Sequence, residues 1–100
     1  MAHVYIHHKI KDYKAWKEVF DRFAGTRRSG GEISYEIFHP EGDPRNLMLL
    51  FEWASLEKAK TFLASPELKS AMQRAGVTEP PEIYHLTKVD EGKLAETVLT

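Results

Sequence analysis

The sequence predicts one α+β domain in which four antiparallel strands form a single sheet and helices cover one of its faces. Three observations predict this class. Short stretches that alternate apolar and polar residues are interleaved with stretches whose apolar residues recur at helical spacing. A strand-like stretch in the middle of the chain is apolar at nearly every position, which is typical of an inner strand. The length of 100 residues suits one domain.

The first third of the chain predicts a strand and then a helix. Alternation over residues 2–8 puts Ala2, Val4, Ile6 and His8 on one side of the strand and His3, Tyr5 and His7 on the other. Asp12 is a predicted N-cap, and the helix that follows it carries an apolar stripe made by Tyr13, Trp16, Phe20 and Phe23. Gly30 and Gly31 end this helical region. The stripe needs an apolar surface to pack against.

The middle of the chain predicts a β-hairpin. Residues 33–39 alternate as a second strand, and turn-forming residues follow over 40–44. Residues 47–53 are almost wholly apolar, so this third strand is expected inside the sheet and buried on both faces.

Two short helices and a last strand complete the prediction. Ser55 and Ser65 are predicted N-caps, and Pro66 suits the first position of the second of these helices. Gly76 ends the helical region, and β-branched and aromatic residues over 82–89 predict the last strand.

The resulting order, βαββαβ, is that of a ferredoxin-like domain, here over residues 1–89, with the helices on one face of the sheet. The other face carries the substantially apolar set Tyr5, His7, Phe38, Met48 and Leu50. We therefore expect two copies to pair face to face as a two-fold homodimer, in a dimeric α+β barrel. Residues 90–100 form a tail that is mobile or docks on the partner subunit. The alternative is a monomer whose tail folds back over the open face.

Composition limits the classes of partner. Fourteen Lys and Arg against 15 Asp and Glu give a net charge of −1, which provides no field to hold nucleic acid. The chain has no cysteine, which excludes thiolate chemistry and suits a reducing compartment. No apolar run approaches the roughly 20 residues of a membrane span, and the first residues do not resemble a signal peptide. A cytoplasmic protein without nucleic-acid or membrane partners is expected.

His8 is the candidate catalytic residue. It shares a strand face with Val4 and Ile6, and should therefore point under the helices near Phe62 and Met72. An imidazole that titrates near neutrality in such a place could act as a general base or orient a substrate oxygen. The alternative is that His8 only ends the strand and hydrogen-bonds a backbone carbonyl.

Trp16, Tyr84 and His85 are further candidates. The indole N–H of Trp16 needs a partner close to the strand end that carries His8, although an aromatic stripe at helical spacing is more often core. Tyr84 or His85 could supply a second polar group, and the pattern leaves open which of the two faces inward.

Neither the histidines of the first strand nor the arginines at the end of the first helical region predict a bound ligand. His7 and His8 leave opposite faces of a strand, so the three histidines of the first strand predict no metal site. Arg27 and Arg28 lie near a helix end, where they oppose the helix dipole favourably and need no anion.

Several segments resemble the antibiotic biosynthesis monooxygenase-like family of the dimeric α+β barrel proteins. The segments are His8-Lys9-Ile10, the helix start with Asp12, Tyr13 and Trp16, Phe51-Glu52-Trp53, and residues 63–68 with the sequence Leu-Ala-Ser-Pro-Glu-Leu. The resemblance spans roughly residues 2–89. It implies the predicted fold and a range of activities, among them cofactor-independent oxygenation of aromatic polyketides, haem degradation and polyketide cyclisation.

The resemblance also implies departures at the functional positions. His8 stands where haem-degrading relatives have an Asn, and Phe62 stands where they have a Trp and many quinone-forming relatives have a His. Met72 stands where the haem-degrading branch has the His that ligates iron. Phe cannot transfer a proton and Met is a weak haem ligand, so no haem and no other cofactor is expected.

These observations predict a homodimer that binds, and in one reading transforms, a small hydrophobic or aromatic molecule. His8 would be the catalytic group, and Trp16, Phe62, Met72 and Tyr84 would bind the ligand. Proton abstraction would be followed by cyclisation or by cofactor-independent oxygenation. The alternative is a non-catalytic ligand-binding or assembly domain whose core is filled.

Overall fold

The computed structural model describes residues 1–94. The strands are β1 (Ala2–Lys9), β2 (Glu32–Phe38), β3 (Asn46–Trp53) and β4 (Glu82–Leu86). The helices are α1 (Tyr13–Arg22), α2 (Ala24–Gly30), α3 (Leu56–Leu63) and α4 (Pro66–Arg74). The predicted βαββαβ order is confirmed, with each helical region divided into two helices.

The four strands form one antiparallel sheet in the order β2-β3-β1-β4. β1 and β3 are the inner strands, and Val4 faces Phe51 across them while His8 faces Leu47. The odd-numbered side chains of β3 are buried under the helices and the even-numbered ones are half-buried on the other face. The prediction that β3 is an inner strand is confirmed, but within one subunit only one of its faces is fully covered.

The short helices begin at residues whose side chains hold the first turn. Asp12 accepts a hydrogen bond from the Ala15 amide at 2.9 Å, and Ser55 accepts one from the Lys58 amide at 3.1 Å. The N-cap of α4 is Ser65, and Pro66 follows it. The sequence predicts these caps because each capping hydrogen bond joins residues that are close together in the chain.

The first helical region differs from the single helix that was predicted. It breaks at Phe23, whose backbone leaves the helical conformation at ψ near 1°. After the break, the Arg27 side chain in α2 donates a hydrogen bond to the Phe20 carbonyl in α1. The two residues are seven positions apart in the chain, beyond the three- and four-residue spacings of helical neighbours, so helical periodicity does not predict this contact.

The core lies between the sheet and the helices, where Val4, Leu47, Leu49 and Trp53 are fully buried. The strand termini differ slightly from the prediction, since β4 ends at Leu86 rather than at residue 89. This last strand is an edge strand with every residue exposed.

The open face of the sheet carries the predicted set of residues. Pairing of Tyr5 with Leu50, and of Met48 with both His7 and Phe38, places these five side chains on the side away from the helices. Phe38 is 51% exposed. A polar cluster lies beside them, because His7 contacts both Asn46 and Glu82. Pairing of this face with a second copy stays a prediction.

Residues 90–94 are exposed and have no regular structure. The rest of the predicted tail, with Val98 and Leu99, lies outside the described residues. In the described range, no helix is long and apolar enough to span a membrane.

Candidate active site

A cavity of about 70 Å³ lies between the sheet and the helices. His8, Trp16, Phe62 and Met72 all line it, as the sequence predicted for their positions. Strand residues on its floor include Ile6, Leu49, Phe51, Trp53 and Ile83. The lining is almost entirely apolar, so the few polar groups decide which ligand chemistry it can accept.

His8 is the most unusual of these groups. Its side chain is 6% exposed, and neither ring nitrogen has a hydrogen-bond partner within residues 1–94. The Trp16 ring meets it edge-on with the ring centroids 5.8 Å apart. The predicted bond to a backbone carbonyl is not formed. A buried polar ring without a hydrogen-bond partner destabilises the folded protein. A ligand that forms a hydrogen bond with the ring would remove this cost.

Burial, together with a smaller contribution from the neighbouring His7, lowers the pKa of His8 to about 4. The imidazole is therefore neutral at pH 7, with one nitrogen that donates and one that accepts. The prediction of a group that titrates near neutrality is wrong, because strand periodicity shows which face a residue occupies but not how completely water is excluded there.

Aromatic rings form the walls of the cavity. Trp16 stacks on Phe20 with centroids 4.8 Å apart, and Phe62 packs against Trp53 at 5.1 Å. The Phe62 ring also lies against Gly30, where a Cβ atom would come within 2.8 Å of it. The ring is therefore held in place by a position that admits only glycine without a shift.

Half-buried side chains mark the route from the cavity to the surface. Phe23, Leu63, Leu68 and Met72 line the cavity and are partly exposed. They lie at the end of α1, at the end of α3 and along α4. Met72 is the most adaptable of them because its unbranched side chain has three rotatable bonds.

Tyr84 does not line the cavity, which corrects its predicted place. It pairs with Tyr5 and lies on the open face, where the two ring centroids are 6.0 Å apart. Its neighbour Ile83 faces the cavity instead. His85 points to the helix side, opposite Val4, but lies at the end of the sheet outside the cavity. Each side of β4 mixes apolar and polar residues, with Ile83 and His85 on one side and Glu82, Tyr84 and Leu86 on the other, so the sequence could not settle its orientation.

A buried ion pair at the cavity was missed by the sequence analysis. The Arg27 Nε donates to both carboxylate oxygens of Glu32, at 2.9 and 3.1 Å, and both side chains are almost fully buried. The Arg27 guanidinium also lies over the Phe20 ring, 3.6 Å from its centroid. Arg27 therefore does not act as a helix-dipole partner in water. Opposite charges five residues apart across a helix end are a weak signal for such a pair.

Burial raises the pKa of Glu32, and the neighbouring Arg27 opposes this shift only in part. Desolvation therefore outweighs the attraction within the pair. The pair neutralises its own charge, so it offers the cavity no free cation for an anionic ligand.

No cluster of three His, Asp or Glu side chains that could hold a metal occurs in the part of the chain described here. The potential metal ligands that line the cavity are His8, Met72 and the already paired Glu32. The arrangement suits an uncharged organic molecule that presents an oxygen to His8.

A family model described as antibiotic biosynthesis monooxygenase matches residues 1–74. No curated protein sequence matches the chain. Among solved structures, a mutant of SnoaB, a cofactor-independent oxygenase from Streptomyces nogalater, superposes with a TM-score of 0.70 at 16% identity, covering 90% of this chain and 94% of that one.

Two further structures are similar. Rv0793 from Mycobacterium tuberculosis has a TM-score of 0.66 at 18% identity, covering 92% of this chain and 98% of that chain. A conserved protein from Methanosarcina mazei Go1 has a TM-score of 0.68 at 16% identity, covering 87% and 91%. At these identities the structural matches establish the fold.

Proposed function

The chain belongs to the antibiotic biosynthesis monooxygenase family, and from this premise we propose that it binds a small hydrophobic or aromatic molecule in the cavity and oxygenates it without a cofactor. His8 is the group that contacts the reacting oxygen of the substrate. Trp16, Phe62 and Met72 bind the apolar body. The cofactor-independent oxygenase SnoaB, which shares the fold, supports this reaction class.

The observation that carries the proposal is the neutral, unpartnered His8 in an apolar cavity. An unsatisfied buried group costs about 1–3 kcal/mol, and a ligand oxygen would remove that penalty on binding. An aromatic molecule with a phenolic hydroxyl or a carbonyl group has both the apolar body and the oxygen that this lining requires.

The state of His8 also limits the chemistry. With its pKa at about 4, His8 is a weak base in the free protein. It can take a proton from a phenol or an activated C–H only if the resulting anion stays in contact, because the anion then compensates the buried imidazolium. The electron-rich substrate carbanion reacts with dioxygen. The new C–O bond gives a hydroperoxide, and loss of the second hydrogen from the same carbon breaks its O–O bond. One oxygen atom then remains as a carbonyl, and the other leaves as water with both hydrogens.

His8→Leu is expected to reduce turnover of any substrate found by about 100-fold or more, because the group that orients and deprotonates the substrate is lost. Substrates are sought by thermal shift with phenols, quinones and aromatic polyketides, followed by oxygen-consumption assays. The matched control is His39→Gln, an exposed loop position. Undiminished turnover in His8→Leu would remove His8 from the mechanism.

The size of the cavity favours a second candidate, a non-catalytic domain with a filled core. An engineered apolar cavity of about 150 Å³ binds benzene, and the cavity found here has about half of that volume, ≈ 70 Å³. Ligand entry therefore requires Met72 and its neighbours to move. If no compound of the panel binds the wild type, the non-catalytic function with a filled core is the better supported one.

We also propose that the protein is a homodimer paired through the open face of the sheet. Phe38 and Tyr84, each about half exposed, and the half-buried Tyr5, Met48 and Leu50 make a surface that a monomer would leave in water. The molar mass measured by light scattering should therefore be twice the 11.5 kDa of one subunit.

Leu50→Lys is expected to give a monomer at micromolar concentration, because it places a charge at the centre of the paired faces. The control is Leu56→Lys, an exposed position at the start of α3. Light scattering after gel filtration measures both. A dimer that survives Leu50→Lys unchanged would place the interface elsewhere.

A further inference from the structure

The helix α4 forms one wall of the cavity with few large buried side chains. Leu68, Ala71 and Met72 of this helix and its C-cap residue Ala75 line the cavity. Only the two alanines are buried, whereas Leu68 and Met72 are half-buried. The fully buried part of the contact between α4 and the core therefore consists of two methyl groups.

The helices α1 and α3 line the same cavity with larger buried side chains. α1 contributes Trp16 and α3 contributes Phe62. Burial of an aromatic ring removes far more apolar area from water than burial of the methyl group of an alanine. Apolar contacts therefore attach α4 to the core more weakly than α1 or α3.

Polar contacts do not compensate for this weak attachment. Ser65 caps the first turn of α4, and Arg74 donates to Ser70 within the helix. Within residues 1–94, α4 takes part in no ion pair and its side chains make no hydrogen bond to another helix or strand. The backbone is tied down only beyond the helix, where the Lys11 amide donates to the Gly76 carbonyl at 3.1 Å.

The backbone changes conformation at both ends of α4. Ser65 is extended, with ψ at 143°, and separates α4 from α3. Gly76 follows the helix in the left-handed conformation, with φ at +82°, which glycine adopts without a steric penalty. A hinge at each of these two residues would let α4 move while α3 and the segment bound to Lys11 keep their places.

We propose that α4 is a lid that swings away from the core between Ser65 and Gly76 while the rest of the domain stays folded. The cavity, about 70 Å³, has about half the volume of an engineered cavity that binds benzene, so a ligand of that size enters only if part of the wall moves. The wall segment with the fewest buried contacts opens at the lowest free energy. As an entry route this inference rests on the proposed ligand-binding function, but the opening itself needs no ligand.

Thiol labelling measures the opening because the chain has no cysteine of its own. Ala71→Cys places one thiol on the buried side of α4, and the control Ala59→Cys places one on the buried side of α3. A disulfide reagent reacts with either thiol only after it has left the core. The thiol in α4 is expected to react about 10-fold faster or more, because local opening is enough to expose it. Equal rates would overturn the proposal, since α4 would then leave the core only when the whole domain unfolds.

The variant Gly76→Ala tests the hinge. An alanine is strained in the left-handed conformation, and the strain is released when α4 swings away, so labelling of Ala71→Cys should become about 5- to 30-fold faster. The matched control is Gly42→Ala in the turn between β2 and β3, where φ is also +82° and no atom lies within 4 Å of the added Cβ. It should leave the labelling rate of Ala71→Cys unchanged. Two glycine variants with the same effect would overturn the hinge at Gly76 and the lid with it.

Hydrogen exchange in the wild type needs no substitution. A helix of nine residues is not stable when it is detached, so each opening exposes the amides of α4 to water. These amides should exchange faster than those of α3, and their exchange should depend less on urea because less surface is exposed. Amides of α3 and α4 that exchange at one common free energy and urea dependence would contradict the proposal.

A bound molecule separates this inference from the proposed function. At saturating concentration, 2-naphthol should slow the labelling of Ala71→Cys, because a molecule seated in the cavity holds α4 in place. Binding that leaves the labelling rate unchanged would overturn α4 as the entry route. Failure of 2-naphthol to bind would count against the ligand-binding function, whereas the rates measured without it still decide whether α4 opens.

Discussion

Glu32→Leu is expected to destabilise the protein by about 3–5 kcal/mol, because it leaves the Arg27 guanidinium buried without its counter-charge. A domain of this size has a total stability of roughly 5–15 kcal/mol, so the loss is a large share. Arg27→Met should cost a similar amount at pH 7. Urea unfolding at one fixed protein concentration measures both variants.

The two single variants should differ in their response to pH. In Arg27→Met the remaining Glu32 can take up a proton, and burial already raises its pKa, so part of the stability should return as the pH falls. In Glu32→Leu the arginine cannot lose its charge, so acid should restore nothing.

The double variant Arg27→Met/Glu32→Leu should be about as stable as the wild type, because it removes both desolvated charges together. Asp21→Ala is the surface control: it breaks the exposed pair with Lys17 and should cost less than about 1 kcal/mol. Single variants that lose no more stability than Asp21→Ala would show that the buried pair is not a structural element.

Between pH 6.5 and pH 4 the wild type is expected to lose about 3 kcal/mol more stability than His8→Leu. The pKa of His8 is about 4 in the folded protein and 6.5 in the unfolded chain. Over this interval the unfolded chain binds a proton that the folded protein does not, so stability is present above pH 6.5 and is lost as the pH falls toward 4. The difference of about 2.5 pKa units corresponds to about 3 kcal/mol.

Urea unfolding of both proteins across this pH range tests the prediction, and the carboxylates common to both cancel in the difference. The control His39→Gln alters an exposed imidazole and should follow the wild type. At pH 7.5 the Leu variant should be at least as stable as the wild type, because a buried, unpartnered ring is replaced by an apolar side chain. Parallel curves for the wild type and His8→Leu would mean that His8 is accessible to protons in the folded state.

Much of the candidate site was predictable because it depends on strand periodicity. The alternation in β1 puts His8 beside Val4 and Ile6, and the structure confirms that it lies under the helices with Trp16, Phe62 and Met72. The same reasoning failed for Tyr84, because an exposed edge strand has no clear apolar side. The orientation of β4 is determined by its pairing with β1.

The amino-acid sequence by itself determined the element order, the helix caps and the two faces of the inner strands. These features arise from contacts within a few residues, or from a period that the chain repeats locally. Only the tertiary structure decided the break at Phe23, the pairing of Arg27 with Glu32, the cavity volume and the neutral state of His8. Each of these depends on how closely the helices and the sheet pack and how completely they exclude water, and no local pattern determines that.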